Sequence, residues 1–154
     1  MSNQPQGERT DGSGKWTDSI EIDTGVLAAM IEHARREAPL ECCGLLLGTP
    51  GWIEECVPTR NARASETAYL IDPAEHFAVV KRVRGSGRDI LGAYHSHPRS
   101  PAVPSPTDRE EAHYEEFLYV IISLADPAFP DVRGYRLDDG NFVPAVLVPV
   151  RNVP

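Results

Sequence analysis

The stretch HSHPRSPAVPSPTD, residues 95–108, indicates both the local fold and the chemistry of this chain. It follows a short apolar segment with the composition of a β-strand. Side chains two positions apart in a strand point to the same face, so His95 and His97 can approach one metal ion. Ser105 and the proline after it begin a helix, which places Asp108 in the first turn as a plausible third ligand. Three protein ligands leave the fourth position of a tetrahedral zinc ion to water, which is typical of a catalytic zinc site.

A hydrolase of this kind also needs a carboxylate that is not a metal ligand and can move a proton from water to the leaving group. Glu41 is the candidate, because it stands at the edge of the most apolar strand, where desolvation would raise its pKa. Ser105 is a plausible hydrogen-bond donor to the developing oxyanion. Taken alone, each residue has a structural interpretation: two ordinary histidines, a helix start and a solvated charge. The joint pattern favours the catalytic site.

Apolar patterning predicts the remaining elements of the chain. They are a helix that begins at Asp23 or Thr24 and ends at Pro39, strands 42–48 and 52–57, a helix 72–85, a strand 90–94, a helix from 105 to about 116, and strands 118–124, 132–137 and 141–148. In the second helix, Phe77, Val80 and Val83 are expected to face inward. This order predicts an α/β fold, a mixed β-sheet with helices packed on its faces.

Length and composition limit the class of protein. The 154 residues fit one domain, predicted for 16–154, after a polar and flexible tail, 1–15. A net charge of −8 argues against nucleic-acid binding by a basic face. No apolar run is long enough to span a membrane, and the N-terminal residues lack the apolar core of a signal peptide, so a cytoplasmic protein is expected. The three cysteines, with an adjacent pair, are expected to be reduced and mostly buried.

The pattern resembles the JAMM metalloproteases, also called MPN+ or Mov34/PAD-1 domains. Their motif is an upstream glutamate, then H-x-H, seven residues, S, two residues and D, which residues 95–108 match in full. Residues 41–44 look like the E-x-C-G segment of the family. The resemblance covers about residues 20–145 and implies a curved sheet between helices, similar to the cytidine-deaminase architecture. It also implies one zinc ion on His95, His97 and Asp108, with Glu41 as the general acid/base and Ser105 stabilising the tetrahedral intermediate.

The resemblance further implies a function. The family cleaves peptide or isopeptide bonds after the C-terminal Gly-Gly of ubiquitin-like proteins, and compact prokaryotic members, which this short chain resembles, include some that process sulfur carriers. A ubiquitin-like or sulfur-carrier protein is therefore the expected partner. Its Gly-Gly tail is expected in a groove beside the sheet, with strand addition as one mode of binding. The physiological substrate, the choice between peptide and isopeptide bonds, and the oligomeric state stay open.

Two other functions compete with this interpretation. The first is a non-catalytic MPN-type module that binds a ubiquitin-like tail or a partner subunit, which need not keep the complete set of candidate site residues. The second is a zinc deaminase, which the absence of the H-x-E and P-C-x-x-C signatures disfavours.

Overall fold

The computed structural model describes residues 19–151. The predicted tail, 1–15, lies outside the described residues. So do the two ends of the predicted domain, 16–18 and 152–154.

The described residues form seven strands and three helices around one sheet. In chain order these are β1 (Ser19–Asp23), α1 (Thr24–Glu37), β2 (Cys43–Thr49), β3 (Trp52–Thr59), α2 (Pro73–Val83), β4 (Asp89–His97), α3 (Pro106–Glu111), β5 (Leu118–Ser123), β6 (Asp131–Asp138) and β7 (Asn141–Val150). The strands pair in the order β1-β3-β2-β4-β5-β6-β7, and the sheet closes because β1 also pairs with β7. β4 and β5 are parallel, as are the pairs that β1 makes, and the other pairs are antiparallel. The predicted α/β fold with a mixed, curved sheet is confirmed. The sheet curves so strongly that its first and last strands pair and it forms a closed barrel.

Helices pack on both faces of this sheet. α1 buries Val26, Met30 and Ala34 in the main core, together with residues of the strands such as Leu46. Leu45 and Leu47, the neighbours of Leu46 on β2, face the other way and pack with Val79 of α2, as alternation along a strand requires. No helix among residues 19–151 is long and apolar enough to cross a membrane.

Three details differ from the sequence-based expectations. β1 is a strand that the apolar pattern did not predict. α3 ends at Glu111, not near 116, because Ala112 already has an extended backbone and Asp108 is the buried residue of this helix. Phe77 is 58% exposed, so the prediction that it faces the core was wrong. Val79 takes the inward position of α2, because it lies opposite the apolar side chains of β2.

A buried histidine–tyrosine pair lies where α1 meets the sheet. His33 Nδ1 and the hydroxyl of Tyr94 are 2.8 Å apart, and both side chains are buried. The Tyr94 ring lies against Gly44, where any Cβ would collide with it. Burial lowers the pKa of His33, and Arg36 acts in the same direction, whereas Glu37 acts against them. His33 is therefore held in its neutral form.

This pair predicts an acid-sensitive contribution to stability. A histidine whose pKa is lowered by folding takes up a proton more readily when the chain unfolds, so its contribution is complete above about pH 6.5 and is lost as the pH falls. The free energy of unfolding is expected to fall more in the native chain than in His33→Gln when urea unfolding is compared between about pH 8 and about pH 5. Glutamine keeps a hydrogen-bonding amide near Tyr94 but does not titrate. An equal fall in both proteins would contradict the prediction.

Candidate metal centre

The C-terminal end of β4 presents the side chains of His95 and His97 to the same side of the sheet. His95 and His97 are 2% and 3% exposed, and their Nε2 atoms are 3.2 Å apart. Both neighbours of β4 hold this end in place, because His95 is paired with Cys43 of β2 and with Ile121 of β5. The i, i+2 spacing therefore brings both rings to the same point, as the sequence predicted.

The cap of α3 presents the third predicted residue. Ser105 is the N-cap, and its hydroxyl accepts from the backbone N–H of Asp108 at 3.0 Å. The Asp108 carboxylate in turn accepts from the backbone N–H of Ser105 at 2.9 Å through Oδ2. The same Oδ2 lies 3.1 Å from Nε2 of His95 and 3.1 Å from Nε2 of His97. A reciprocal capping box thus holds the carboxylate against both imidazoles.

These three atoms have the spacing that a tetrahedral zinc ion requires. Ligands at 2.0–2.1 Å from a tetrahedral ion lie about 3.3 Å from one another, and the three separations here are 3.1, 3.1 and 3.2 Å. Within residues 19–151, one group of three or more histidine, cysteine, aspartate or glutamate side chains has ligand atoms close enough to hold a metal ion. It consists of His95, His97 and Asp108. The three other histidines, His33, His76 and His113, do not belong to this group.

The protonation pattern also fits a cation. Nδ1 of His97 lies 2.8 Å from the carbonyl oxygen of Pro101, and a carbonyl only accepts, so Nδ1 carries the proton. A neutral His97 then presents a lone pair on Nε2 toward the carboxylate oxygen of Asp108. Two acceptors at this distance repel each other unless a proton or a metal ion lies between them, and a carbonyl partner on the far nitrogen is typical of metal-binding histidines.

The charges of the three side chains are coupled. Burial lowers the pKa of His95, although the Asp108 carboxylate acts against this effect. Burial acts in the same sense on His97, but a second proton, on Nε2, would be shared with Asp108. This hydrogen bond and the one to Pro101 outweigh burial and raise the pKa of His97. For Asp108, burial would raise the pKa, yet the hydrogen bonds from the two histidines hold it far below its usual range. The carboxylate is therefore ionised across the physiological range.

Glu41 lies immediately before β2 and reaches the same site. The backbone N–H of Cys42 donates to the Ser96 hydroxyl at 2.8 Å, and the backbone N–H of Ser96 donates to the Cys42 carbonyl at 3.1 Å. These two hydrogen bonds hold Cys42, the residue after Glu41, beside Ser96, the residue between the two histidines.

The side chain of Glu41 is buried. Glu41 is 4% exposed, and its Oε1 has no hydrogen-bond partner. Burial raises the pKa of Glu41 to about 7, with His97 acting to lower it. A carboxyl near neutrality can accept and return a proton.

A cleft of about 340 Å³ opens beside these residues. Glu41, His97 and Ser105 line it together with the segments 66–67 and 98–100. The structure therefore brings all five predicted site residues into one place, with one of the three metal-facing residues, His97, at the wall of an accessible cleft.

Two residues of the site, Tyr69 and Asn61, were not predicted from the sequence. Tyr69 stacks on the ring of His95, with centroids 4.3 Å apart and planes 19° from parallel. Asn61 donates from its side-chain amide to the Glu41 carbonyl at 3.1 Å. Both lie in the polar stretch between β3 and α2, for which the sequence predicts neither a helix nor a strand. No periodicity or motif within this stretch marks either residue.

The cysteines are free thiols, as expected from the sequence. Burial raises the pKa of Cys42 to about 12 and that of Cys43 to about 11. Cys56 is half-buried, and burial raises its pKa to about 11. Thiols with such pKa values stay protonated at neutral pH and are poor nucleophiles.

Comparison with known proteins agrees with the geometry. The family described as prokaryotic homologs of the JAB domain, Prok-JAB, matches residues 23–138. The chain is similar to the CysO-cysteine peptidase of Mycobacterium tuberculosis, with 36% identity over 77% of this chain and 83% of that protein. It is also similar to a protein of Thermus thermophilus described as a probable TtuB-protein conjugate cleaving protease, with 36% identity over 82% of each chain.

Solved structures show the same architecture. The solution structure of a protein from Desulfitobacterium hafniense superposes with a TM-score of 0.80 and 32% identity, over 87% of this chain and 94% of that one. The match to the family over most of the described chain, together with these relatives, confirms the resemblance seen in residues 41–44 and 95–108. The chain belongs to the prokaryotic branch of the JAB, or JAMM/MPN+, domain family.

Proposed function

We propose that this protein is a zinc-dependent peptidase or isopeptidase that cleaves after the C-terminal Gly-Gly of a ubiquitin-like protein, of the sulfur-carrier type. One observation carries the proposal. Three buried ligand atoms, on His95, His97 and Asp108, form a triangle of tetrahedral size beside a buried carboxylate oxygen of Glu41 that has no partner. A non-catalytic binding module has no need of that unpartnered oxygen, whose burial opposes folding.

The relatives support the substrate class. One is named a CysO-cysteine peptidase, and the other is described as cleaving TtuB-protein conjugates. The first name describes removal of a single amino acid, and the second describes cleavage of a protein conjugate. Peptide and isopeptide bonds are both amides, so one type of hydrolytic site suits either substrate.

In this proposal, His95, His97 and Asp108 hold one zinc ion per chain, which leaves a fourth position for water. When bound, zinc lowers the pKa of water toward about 7 and polarises a carbonyl group. Glu41 takes the proton from the attacking water and delivers it to the leaving nitrogen, which its raised pKa allows in both directions. Burial keeps its carboxyl away from bulk water, where it would ionise at a lower pH.

Ser105 would act on the substrate carbonyl. Its hydroxyl oxygen already accepts the backbone N–H of Asp108, which fixes the position of the oxygen. The hydroxyl proton can then donate into the cleft that Ser105 shares with Glu41 and His97. A donor held in this way stabilises the charge that develops on the oxygen of the scissile carbonyl.

The substrate tail cannot join β4 as an additional strand beside the site. Both edges of β4 at His95 are occupied, by Cys43 of β2 and by Ile121 of β5. The tail is therefore expected to approach through the cleft, between the loops that precede α2 and α3. Glycines suit such a site, because a residue without Cβ lets the substrate backbone come close to the metal.

The proposed activity is tested by intact-mass analysis of a ubiquitin-like sulfur carrier that has extra residues after its Gly-Gly. It is incubated with the zinc-loaded protein, with and without a zinc chelator. The expected result is loss of the residues beyond the second glycine, blocked by the chelator and restored by added zinc. A lysine conjugate of the same carrier, tested in the same way, separates isopeptide cleavage from peptide cleavage.

If the protein binds zinc and cleaves neither substrate, the proposed activity is wrong. If it binds no zinc at all, the binding-module interpretation is favoured.

A further inference from the structure

We infer that Asn61 is a positioning residue for the proposed reaction, because its side chain ties Glu41 to the loop that carries Tyr69 onto His95. The inference rests on the proposed function and adds a residue to it. We call residues 61–71 the Asn61 loop. An antiparallel bridge between Asn61 and Ile71 closes it, and it lies between β3 and α2.

Every hydrogen-bonding group of the Asn61 amide has a backbone partner. Nδ2 donates to the carbonyls of Glu41 at 3.1 Å and Ala68 at 3.0 Å. Oδ1 accepts from the N–H groups of Arg63 and Leu70, each at 3.0 Å. Two donors and two acceptor lone pairs are all that an asparagine amide offers. Only an amide at this position satisfies all four partners.

Two of these bonds fix Tyr69. The Ala68 carbonyl and the Leu70 N–H stand on either side of Tyr69 in the chain, so the amide of Asn61 holds the backbone on which that ring is mounted. The ring then stacks on His95 at 4.3 Å between centroids. A displacement of this backbone would move the ring and release one face of His95.

The third bond, together with the loop backbone, fixes Glu41. The carbonyl of Glu41 accepts from Asn61, and its N–H donates to the Ser65 carbonyl at 2.9 Å. Both backbone groups of Glu41 are therefore held by the Asn61 loop. The loop is in turn anchored to α3 by an ion pair of 2.6 Å between Arg63 and Glu111. One amide thus sets the distance between Glu41 and the ring that lies on a metal-facing histidine.

A merely stabilising role for Asn61 makes a different prediction from a positioning role. Loss of the amide leaves four backbone groups without this partner and lowers the stability of the fold in either case. Only a positioning role lowers kcat through Glu41, because displacement of a catalytic group by about 1 Å can reduce a rate by about 100-fold. The two roles are separated by measuring turnover, substrate affinity and zinc content in the folded variants.

The first experiment compares Asn61→Ala and Asn61→Asp with the native protein on the extended sulfur-carrier substrate. Aspartate keeps the shape and the acceptors but places an oxygen against the Glu41 and Ala68 carbonyls. Both variants are expected to lose about 10- to 100-fold in kcat, with KM and zinc content nearly unchanged. Asn141→Ala is the matched control, because Asn141 also donates to a backbone carbonyl but begins β7, at the end of the β6–β7 hairpin that lies away from the site. It should keep full activity.

The second experiment tests whether Asn61 acts through Glu41. In the Glu41→Gln background, Asn61→Ala is expected to cause no further loss of the residual turnover, because the group that it positions no longer transfers protons. The same fold-loss in both backgrounds would overturn the inference, as would full activity of the two Asn61 variants. An inactive native protein would instead contradict the proposed function and, with it, this inference. Thermal unfolding confirms that each protein is folded, and Asn61→Asp serves if Asn61→Ala is not.

Discussion

Glu41→Gln is expected to lower kcat by about 10²- to 10⁴-fold, the usual contribution of a general acid/base, while zinc remains bound at one ion per chain. Glutamine has nearly the same shape as glutamate but cannot take a proton from water at neutral pH. The proposed metal ligands are on β4 and α3, not on the segment before β2, so their geometry does not depend on this side chain. The loss should appear in kcat, with KM little changed, in the intact-mass assay run as a time course.

The same variant is expected to be at least as stable as the native chain when both are metal-free. Burial raises the pKa of Glu41 to about 7, so folding takes up a proton there at neutral pH. A carboxyl with a raised folded pKa favours folding at low pH, and this contribution is lost as the pH rises through the folded value. At about pH 8, the native protein keeps a desolvated carboxylate that glutamine removes. Urea unfolding in the presence of a chelator measures the difference.

Glu110→Gln is the matched control for Glu41→Gln. Glu110 is exposed on α3, close in sequence to Asp108 but turned to solvent. The same chemical change there should alter neither turnover nor the free energy of unfolding. Substantial activity in Glu41→Gln, with Glu110→Gln also active, would show that another group moves the proton.

The spacing of residues 95–108 was enough to predict the convergence of His95, His97 and Asp108. Each of the three positions follows from a local rule: alternation in a strand and the cap of a helix. Glu41 is different, because 54 residues separate it from His95 and no local rule measures that distance. Its placement depends on the pairing of β2 with β4, which was not predicted. The apolar strand beside it and the resemblance to a family named Glu41 as a candidate without fixing its distance from the histidines. Asn61 and Tyr69 could not be predicted at all, since their contacts depend on how an irregular loop folds back on the site.

The fold itself was predictable where a buried face left a periodic pattern. The run of apolar residues at 42–48 predicted a strand, and its side chains are buried on both faces, since Leu45 packs with α2 and Leu46 packs with α1. α3 was predicted too long, because its acidic residues favour a helix but offer no apolar stripe that could pack against the sheet. Closure of the sheet was beyond local reasoning, because it depends on the parallel pairing of β1 with β7, at opposite ends of the described chain.

Asp108→Asn is expected to weaken zinc binding by more than about 100-fold, the upper range for loss of a supporting partner, and to abolish turnover. Asparagine can still accept the backbone N–H of Ser105 through its carbonyl oxygen, so the cap of α3 should persist. It lacks the negative charge that lies 3.1 Å from both His95 and His97. The zinc content after dialysis, measured by elemental mass spectrometry, tests binding, and the sulfur-carrier assay tests activity.

A second variant and its control separate the two roles of this carboxylate. Asp108→Ala removes both the charge and the oxygen that accepts the backbone N–H of Ser105, so it should lose zinc and about 1 kcal/mol of stability in the metal-free state. Asp72 also caps a helix with its carboxylate, but from the N-cap position of α2, where it accepts from the N–H groups of Ala74 and Glu75 and pairs with Arg60. It is not among the metal-facing residues. Asp72→Ala should therefore lose a similar amount of stability and keep its zinc. If Asp108→Asn retains one zinc ion per chain, Asp108 is only a helix cap, and the ion would need a third protein ligand from elsewhere.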